Sequence, residues 1–385
     1  MSFAALRRLK AGLARRKEQA AWRQRRVLDS AQGVRIRVDG KDWLSFCSND
    51  YLALAQHPAL IAAARDAVAH AGVGAGASHL VCGHHREHEA FEHEVAAFLR
   101  LPAALLFSTG YLANLAVVSA LIGRDGEVFA DRLNHASLND AALLSRANVH
   151  RFAHGDLAML ERQLAASTRH DRLVMVDAVF SMDGDVADVP ALLALCERYD
   201  AWLLLDDAHG FGVLGEQGRG VLSHFGVQSP RIVYMATLGK AAGVAGAVVA
   251  GDETVITWLL QTARPYVYTT AAPALLSAAL RASLKEMAAA DAARSHLALL
   301  IDRLREGLQA RGWRLADSRT PIQPVILGSN EAALAVGNRL EQSGILVPVI
   351  RPPTVPQGMA RLRISLSAAH SLADIEAVLS VMGAA

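Results

Sequence analysis

Cysteine, aromatic side chains and long apolar runs are all scarce in this 385-residue chain. The three cysteines (Cys47, Cys82 and Cys196) lie far apart and form no Cys-x-x-Cys pair, so we expect neither a disulfide framework nor a cysteine-bound zinc ion. A reducing, cytoplasmic location is the matching expectation. The longest apolar stretch, residues 271–280, stops at Arg281, well short of the roughly 18 residues that a membrane helix needs, so no membrane association is expected.

Aromatic residues make up 5% of the chain, whereas hydrophobic residues make up 52% and charged residues 20%. These proportions are those of a globular protein that can bury a large core. The scarcity of aromatics favours helices packed on buried strands over a β-sandwich. At roughly 150 residues per domain, the length corresponds to about two domains.

Acidic residues are nearly absent from the first 26 residues, which hold nine Lys or Arg side chains and a single acid, Glu18. An organelle presequence and a nucleic-acid-binding arm share this composition. The helical spacing of four apolar residues favours a third interpretation, an amphipathic helix that docks on the body of the protein and keeps a basic outer face. These residues are Phe3, Leu6, Leu9 and Leu13. Such a face suits an acidic partner, and no nucleic acid is expected.

Strand-like and helix-like segments alternate from about residue 100 onward. The strands are expected at residues 104–107, 128–130, 173–177, 203–206, 232–236 and 247–250, with helices that begin near Tyr111, Ala136 and Pro190. Because these strands are continuously apolar rather than alternating, they predict a mostly parallel sheet covered by helices on both faces. The sequence therefore predicts an α/β fold.

A second unit follows a long helical stretch at residues 283–300. Its pattern predicts helices at 297–310, 331–343 and 372–381 and strands at 322–327, 345–350 and 361–366. We therefore expect three parts: an N-terminal basic helix and arm (1–47), a large α/β domain (48–285) and a small C-terminal α+β domain (286–385).

Polar residues gather where the expected strands end, which is where open α/β sheets bind ligands. They fall at residues 108–110, 131–135, 181, 206–209 and 237–240. Among them, Lys240 is flanked by small and apolar neighbours. This setting favours a desolvated amine of lowered pKa, able to form an imine, over a solvated surface lysine.

Asp206 ends a strand, and His209 follows three residues later. This pair could hold a metal ion, but a metal site needs further ligands. The segment with His84, His85 and His88 has the pattern of a helix surface and does not supply them. A pyridine cofactor offers the alternative, in which the Asp206 carboxylate keeps the ring nitrogen protonated. We expect no metal.

Two glycine-containing turns have patterns that are compatible with phosphate binding. The strand-to-helix turn at 108–111 could bind one with its free N–H groups, although Ser108 or Thr109 acting as a simple helix N-cap explains the same residues. Residues 72–77 (GVGAGA) match a dinucleotide-binding pattern, but a helix-like segment at 58–70 precedes them instead of a strand. A glycine turn is the better interpretation of 72–77.

Six segments stand in the order found in the α-oxoamine synthases, which are fold-type I pyridoxal-phosphate enzymes. They are SNDYL at 48–52, ADRLNHAS at 130–137, FSMDGD at 180–185, DDAHG at 206–210, TLGK at 237–240 and RPPTVP at 351–356. The chain resembles this family over nearly its whole length, with Ala53 where the family often has glycine. The resemblance implies a pyridoxal 5'-phosphate cofactor, a homodimer and the fold of the type I pyridoxal-phosphate transferases.

The resemblance also implies the roles of individual residues. Lys240 would be the Schiff-base lysine, and Asp206 would pair with the pyridine nitrogen. His135 would stack on the ring beside the substrate, and His209 would bind near the ring hydroxyl. Further cofactor contacts would be Gly110, Tyr111, Ser181, Thr237 and, from a second subunit, Thr269 or Thr270. Substrate contacts would be Asn49 and Arg363 for the amino-acid carboxylate, and Arg23, Arg351 and Thr354 for the acyl group.

The reaction implied for the family is a decarboxylative condensation of an amino acid with an acyl thioester. The member most resembled would use L-alanine and a pimeloyl thioester on CoA or acyl-carrier protein, and the basic arm suits these anionic carriers. The alternatives are a sister enzyme that uses glycine with a short acyl-CoA, a non-catalytic dimer scaffold, and a metal hydrolase built on Asp206 and His209.

Overall fold

The computed structural model describes residues 3–18, 22–23 and 25–385. Its helices are α1 (Ala4–Glu18), α2 (Pro58–Ala71), α3 (Arg86–Leu99), α4 (Gly110–Leu121), α5 (Ala136–Ser145), α6 (Leu157–Ala166), α7 (Val189–Arg198), α8 (Val221–Phe225), α9 (Glu253–Thr262), α10 (Arg264–Val267), α11 (Ala274–Ala288), α12 (Asp291–Gln309), α13 (Asn330–Gln342) and α14 (Leu372–Met382). Its strands are β1 (Arg35–Val38), β2 (Lys41–Ser45), β3 (Ala103–Phe107), β4 (Glu127–Asp131), β5 (Asn148–Phe152), β6 (Arg172–Asp177), β7 (Trp202–Asp206), β8 (Ile232–Thr237), β9 (Ala247–Gly251), β10 (Ile322–Gly328), β11 (Ile345–Leu346), β12 (Val349–Ile350) and β13 (Ala360–Ser365). Within these described ranges, no helix is both long enough and apolar enough to cross a membrane.

The large sheet has seven strands in the order β3-β9-β8-β7-β6-β4-β5. Strands β5, β4, β6, β7 and β8 run parallel, and β9 lies antiparallel between β8 and β3. Parallel neighbours need crossover connections, which α5 to α8 supply in turn. The mostly parallel α/β sheet predicted from the sequence is confirmed. The sequence does not predict edge strand β5, because this strand is only half buried and lacks a continuous apolar run.

The core lies in two layers, one on each face of the large sheet. Successive residues of a strand point to opposite faces. In β7, Leu203 and Leu205 pack in one layer and Leu204 in the other. The first layer includes side chains of α3, α6, α7, α11 and α12, and the second includes side chains of α4, α5 and α9. Covering both faces in this way fixes the sheet, and therefore fixes the strand ends that carry the polar residues.

Two smaller sheets, β10-β13-β12 and β1-β2-β11, contain the C-terminal strands. The helices and strands predicted after residue 297 are confirmed, except that the strand expected at 345–350 divides into β11 and β12. Pro348 lies between these two strands and has no N–H group to donate to a sheet. Strand β11 pairs with β2, so residues of the N-terminal part of the chain share a sheet with the C-terminal part.

Helix α1 corrects one expectation. The helical spacing is confirmed, but the helix contributes no buried residue, and Phe3, Leu9 and Leu13 are 50% to 70% exposed. The apolar side chains of α1 are therefore not docked on the body of this chain. Periodicity predicts that a helix forms, but it does not predict which surface covers the apolar face.

Ala53 occupies a backbone conformation that favours glycine. Its φ and ψ of 58° and 35° lie in the left-handed region, which costs an L-residue about 1–2 kcal/mol. The side chain of Asp50 holds this turn, since its two carboxylate oxygens accept the N–H groups of Leu54 and Ala55 at 2.9 and 3.1 Å. The alanine that stands here in place of the family's glycine therefore adds backbone strain as well as a methyl group.

Arg361 is a second correction. Alternation along the strand places Arg361 and Arg363 on one side; from the sequence a solvated surface position is expected for Arg361, whereas the family resemblance places Arg363 over the cofactor cleft. All six residues of β13 are buried, so the expectation for Arg361 is wrong. The side chain of Arg361 is 2% exposed and pairs with Asp183 at 2.6 Å. Its guanidinium also donates to the carbonyls of Met182 and Met359 at 2.9 and 3.1 Å. These contacts fasten β13 to the segment that follows Ser181.

Replacing Arg361 with alanine should lower the free energy of unfolding by about 3 kcal/mol, because it removes the buried arginine of an ion pair with the partly exposed Asp183 and leaves carbonyl groups unsatisfied. Urea denaturation of the purified protein measures this change. The matched control is Arg319→Ala, since Arg319 is 77% exposed and lies 3.6 Å from Asp302. The control should stay within about 0.5 kcal/mol of the parent. Equal, small losses in the two variants would show that the β13 contact does not stabilise the fold.

Candidate active site

The carboxyl ends of the central parallel strands surround a cavity of about 190 Å³. It is lined by Gly110, Tyr111, His135, Ser137, Asp177, Val179, Ser181, Asp206, Ala208, His209, Met235, Thr237 and Lys240. Eight of these residues were singled out from the sequence as cofactor contacts. The turns after β3, β4, β6, β7 and β8 bring them together, because parallel strands end at the same edge of the sheet.

Lys240 begins a hydrogen-bonded chain that leads out of this cavity. Its Nζ donates to Nε2 of His209 at 2.9 Å, and Nδ1 of the same imidazole contacts the hydroxyl of Tyr51 at 2.6 Å. The Tyr51 hydroxyl donates to Oδ1 of Asn49 at 3.2 Å. Both N–H arms of the Arg363 guanidinium reach the same Asn49 oxygen at 3.3 Å. The proposed lysine and the two proposed carboxylate-binding residues therefore belong to one network.

Two groups of this network, Lys240 and His209, lose their positive charge more easily than they would in water. Burial lowers the pKa of Lys240 to about 8, against the opposing attraction of the Asp206 and Asp177 carboxylates. Burial also holds the pKa of His209 well below its usual range, with Lys240 and Arg363 adding to the effect. A neutral His209 can accept from Lys240 at Nε2 while donating from Nδ1 to Tyr51, which assigns its tautomer from the hydrogen bonds.

Asp206 and Asp177 lie side by side as paired residues at the ends of β7 and β6. The backbone N–H of Ala208 donates to Oδ1 of Asp206 at 3.1 Å, and Nδ2 of Asn114 donates to Oδ2 at 2.8 Å. Asp177 accepts the backbone N–H of His135 at 3.0 Å. Burial and the neighbouring Asp206 carboxylate raise the pKa of Asp177 well above its usual value. Both carboxyl groups line the cavity, and Asp177 gives up its proton less readily than an exposed aspartate does.

A second chain connects Asp206 to His135. Asn114 donates to both Asp206 and the hydroxyl of Ser137, which lies 2.7 Å from Nδ1 of His135. The backbone N–H of Ser137 donates to the same Nδ1 at 3.2 Å, so His135 caps α5 with one nitrogen and presents its ring to the cavity. This arrangement fixes the orientation of the imidazole.

Sequence reasoning missed Asp177, Asn114, Ser137 and Tyr51. Two signals could have found some of them. Asp177 is a strand-terminal acid like Asp206, and Asn114 is a polar residue inside a mostly apolar helix. Ser137 and Tyr51 stand in the segments that carry the family resemblance.

The N-terminus of α4 forms one wall of the cavity. Thr109 caps this helix through Leu112 N–H at 3.2 Å, and the helix begins at Gly110. A Cβ added at Gly110 would come within 2.5 Å of Cγ2 of Thr237, so only glycine fits against that strand end. The first N–H groups of a helix lack partners within the helix, and they favour an anion. The Tyr111 hydroxyl donates to the Asp140 carboxylate, which fixes its ring beside this wall.

A second, larger cavity of about 560 Å³ lies between α1 and the residues after β12. It is lined by Gly12, Arg15, Arg16, Trp22, Arg23, Val349, Ile350, Arg351, Pro352, Pro353 and Thr354. The three residues expected to contact the acyl group, Arg23, Arg351 and Thr354, therefore share one cavity. Strand β12 pairs with β13, which carries Arg363, so one ladder connects this cavity to the Lys240 network.

Thr269 and Thr270 are not among the residues that line the cavity at Lys240. They follow α10, and Thr270 pairs with Ser78 across an isolated antiparallel bridge. The next residue, Ala271, donates its N–H to the carbonyl of Ala77 at 3.0 Å. This bridge joins the threonines to the glycine turn at 72–77, where Gly72 and Gly76 have φ of +69° and +74°.

The residues present fit a pyridine cofactor with a phosphate group. A buried carboxylate (Asp206), a lysine amine and a helix N-terminus face the same cavity. These are the groups that pair with a ring nitrogen, form an imine and hold a phosphate, respectively. Phe211, which follows the 206–210 segment, is buried against Phe98 in the core and does not narrow the cavity.

Comparison with known proteins places this site in a family. The class I and II aminotransferase model matches residues 41–382. The 8-amino-7-oxononanoate synthase of Thiobacillus denitrificans is 62% identical over 376 residues, 97% of each chain. The enzyme of the same name from Methylobacillus flagellatus is 59% identical over 374 residues, 97% of this chain and 94% of its own. A high-resolution structure of SPT with PLP internal aldimine aligns with a TM-score of 0.93 at 28% identity, over 98% of this chain and 97% of that one.

These matches define the class first: the chain belongs to the class I and II aminotransferases and has the type I fold. Within that class, the chain belongs to the 8-amino-7-oxononanoate synthase family. The resemblance read from the six sequence segments is confirmed. The comparisons do not favour the sister enzyme or the non-catalytic scaffold.

The amine of Lys240 should react with small electrophiles at a lower pH than an exposed lysine. Below its pKa the amine is protonated and unreactive, so in cofactor-free protein its modification rate should rise about tenfold per pH unit and level off above about pH 8. Mass spectrometry after brief reductive methylation at each pH measures the rate. The exposed lysine Lys285 is the internal comparison. The same plateau at Lys285 would show that burial of the amine is not the cause.

Proposed function

We propose that the chain condenses L-alanine with a pimeloyl thioester to give 8-amino-7-oxononanoate, carbon dioxide and a free thiol, as a pyridoxal-phosphate-dependent acyltransferase of biotin biosynthesis. The observation that carries this proposal is the lysine of lowered pKa that shares a cavity with the buried Asp206, in a chain of this family. When bound, pyridoxal phosphate supplies an electron sink that stabilises negative charge on the amino-acid Cα.

Lys240 has two tasks in this proposal. Its Nζ would hold the cofactor covalently, and the amine, when free, would accept the proton from the amino-acid Cα. A pKa of about 8 suits both tasks, because an appreciable fraction of the amine is neutral near pH 7. His209 contacts this amine at 2.9 Å and orients it.

The other cofactor contacts follow from the walls of the cavity. Asp206 holds the proton on the ring nitrogen, and Asn114 and Ala208 N–H fix the carboxylate in place. His135 would stack on the ring, while Ser181 and His209 would bind near its hydroxyl. Phosphate binding falls to the N-terminus of α4, through Gly110 and Tyr111, together with Thr237.

Arg363 and Asn49 bind the amino-acid carboxylate in this proposal. The Arg363 guanidinium is held by the Ser181 carbonyl at 2.6 Å and the Ser365 hydroxyl at 2.7 Å, whereas its two contacts to Asn49 are longer, at 3.3 Å. A carboxylate can replace the long contacts with shorter, charge-assisted ones. The short contacts to Ser181 and Ser365 keep the guanidinium in position while the carboxylate replaces Asn49.

The cavity of about 560 Å³ binds the acyl thioester in this proposal, through Arg23, Arg351 and Thr354. Arg15 and Arg16 of α1 line the same cavity. Four arginines around one cavity suit the phosphate groups that CoA and acyl-carrier protein both carry.

We further propose a homodimer whose two active sites are shared, and a division of each chain into an N-terminal arm (1–47), a large domain (48–285) and a small domain (286–385). Two observations support the shared site. Thr269 and Thr270 lie outside the cavity of their own chain, and the bridge between Ser78 and Thr270 holds them in place. The apolar face of α1, exposed in the single chain, adds surface that a second subunit can cover.

The two substrates should respond to different arginines. Arg363→Lys keeps the charge but loses the planar fork, so the KM for L-alanine should rise about tenfold to a hundredfold, the equivalent of about 1.5–3 kcal/mol, with the KM for pimeloyl-CoA nearly unchanged. Arg23→Ala should do the reverse, raising the KM for the thioester about tenfold. Steady-state assays of 8-amino-7-oxononanoate formation measure both constants.

A parent protein that makes no product from L-alanine and pimeloyl-CoA contradicts the proposed function itself. A variant that changes both constants equally contradicts the division between the two cavities.

Mixed dimers test the shared site. A Lys240→Ala chain and a chain with Thr269→Ala and Thr270→Ala, refolded or exchanged together, should form heterodimers in which one of two sites is intact. Random mixing should then restore about a quarter of the parent activity, because half of the dimers are mixed and half of their sites are complete. Activity no higher than the average of the two separate variants would show that each site takes all its residues from one chain.

A further inference from the structure

We propose that His84, Glu89 and Glu92 form a binding site for a divalent transition-metal ion, of which Zn²⁺ is the test case, where α3 packs against β3. The three side chains each bring one ligand atom within 4.8 Å of the others. An imidazole with two carboxylates is a donor set that suits Zn²⁺ and its neighbours in the first transition row. This site does not depend on the proposed reaction.

The His84–Glu89 pair needs little change to take an ion, and Glu92 lies within 4.8 Å of both. Glu89 and Glu92 are three residues apart on α3 and therefore share one face of the helix. Nε2 of His84 lies 2.9 Å from Oε2 of Glu89. Two ligands of a tetrahedral Zn²⁺ stand about 3.3 Å apart when each bond is about 2.0–2.1 Å, so this pair needs to open by only a few tenths of an ångström.

Each of the three ligands also has a partner that holds it. Nδ1 of His84 contacts Nδ1 of His79 at 2.8 Å, and His79 in turn stacks on Tyr266. Oε1 of Glu89 contacts Nε2 of His93 at 2.9 Å. The backbone N–H of Leu106 donates to Oε1 of Glu92 at 2.7 Å. Metal ligands are commonly oriented by such outer hydrogen bonds, and a ligating histidine usually donates its second N–H.

His88 is not part of the proposed set, although it lies close to His79 and His84. Its Nδ1 accepts the backbone N–H of His85 at 2.9 Å, and its Nε2 donates to the carbonyl of Ala272 at 2.8 Å. Both nitrogens are therefore engaged. This side chain is fully buried, which corrects the expectation that the histidines here lie on a helix surface.

Charge and access favour a cation at this position. Glu89 and Glu92 bring two carboxyl groups to this position, and both can bind a divalent ion as carboxylates. The nearby Arg281 pairs instead with Glu87 and Glu94 of the same helix, at 2.7 Å each. His84, Glu89 and Glu92 line a cavity of about 480 Å³, which leaves room for an ion to enter and for water to complete its coordination.

The test is calorimetric titration of the cofactor-loaded enzyme with ZnCl₂, together with the visible spectrum after titration with CoCl₂. One ion per chain is expected. Glu92→Gln keeps an oxygen for Leu106 N–H but removes the charge, and His84→Ala removes the imidazole; either should weaken binding by about a hundredfold. His79→Phe keeps the stack on Tyr266 and should weaken binding by about tenfold.

His170→Ala is the matched control, because His170 is an exposed histidine elsewhere on the surface, and it should bind the ion like the parent. Thermal melting and the cofactor absorption band establish that each variant is folded. Loss of binding in folded Glu92→Gln with retention in His170→Ala supports the site. The proposal is overturned if the parent takes up no ion, or if it takes up one ion that Glu92→Gln and His84→Ala both bind equally well.

Discussion

An amine withdrawn from water beside carboxylates is the constraint on which the rest of this structure depends. Burial alone would drive Lys240 to its neutral form, whereas Asp206 and Asp177 draw it toward its charged form. The balance leaves a pKa of about 8, at which both forms are accessible near neutral pH. Neither a solvated lysine nor an unpartnered buried one offers this combination.

The sheet creates that balance by register. Strands β6 and β7 are parallel neighbours with Asp177 opposite Asp206, and the turn after β8 supplies Lys240 at the same edge. Adjacent buried carboxyl groups disfavour each other's ionisation, and burial together with the neighbouring Asp206 raises the pKa of Asp177. The apolar layers on both faces of the sheet maintain this arrangement, because a strand that shifted by one residue would turn its core side chains to the wrong face.

The C-terminal strand β13 joins the site to the rest of the chain. Arg361 fastens the strand to the segment at 182–183, and two residues later Arg363 reaches Ser181 and Asn49. The first arginine is therefore structural, and the second faces the Lys240 network. Strand β12, paired with β13, leads to Arg351 and the larger cavity. One small sheet thus sets the distance between the two proposed substrate positions.

The sequence predicts what depends on local pattern and motif. The parallel strands, the C-terminal helices and eight of the thirteen residues that line the cavity at Lys240 follow from apolar runs, strand ends and six ordered segments. Features that depend on packing between distant segments cannot be predicted from local pattern and motif. Alternation along β13 could not reveal that the segment at 182–183 buries Arg361, and helical spacing in α1 could not reveal that Phe3 and Leu9 stay exposed in the single chain.

Asn114 illustrates the same limit, since its role arises only when α4 lies against the first turn of α5 and the end of β7. The edge strand β5 carries too few apolar residues for a pattern to show. To predict any of these features, one must know which distant segment packs against the residue. A periodicity or a motif does not carry that information.

The most direct test of the central claim is to reduce the pyridoxal-phosphate-loaded enzyme with sodium borohydride and locate the modified residue by peptide mass spectrometry. The account predicts loss of the visible absorption band, a single pyridoxyl label on Lys240, and no label in Lys240→Ala. A label on another lysine such as Lys285, or a reducible band that persists in Lys240→Ala, would contradict it.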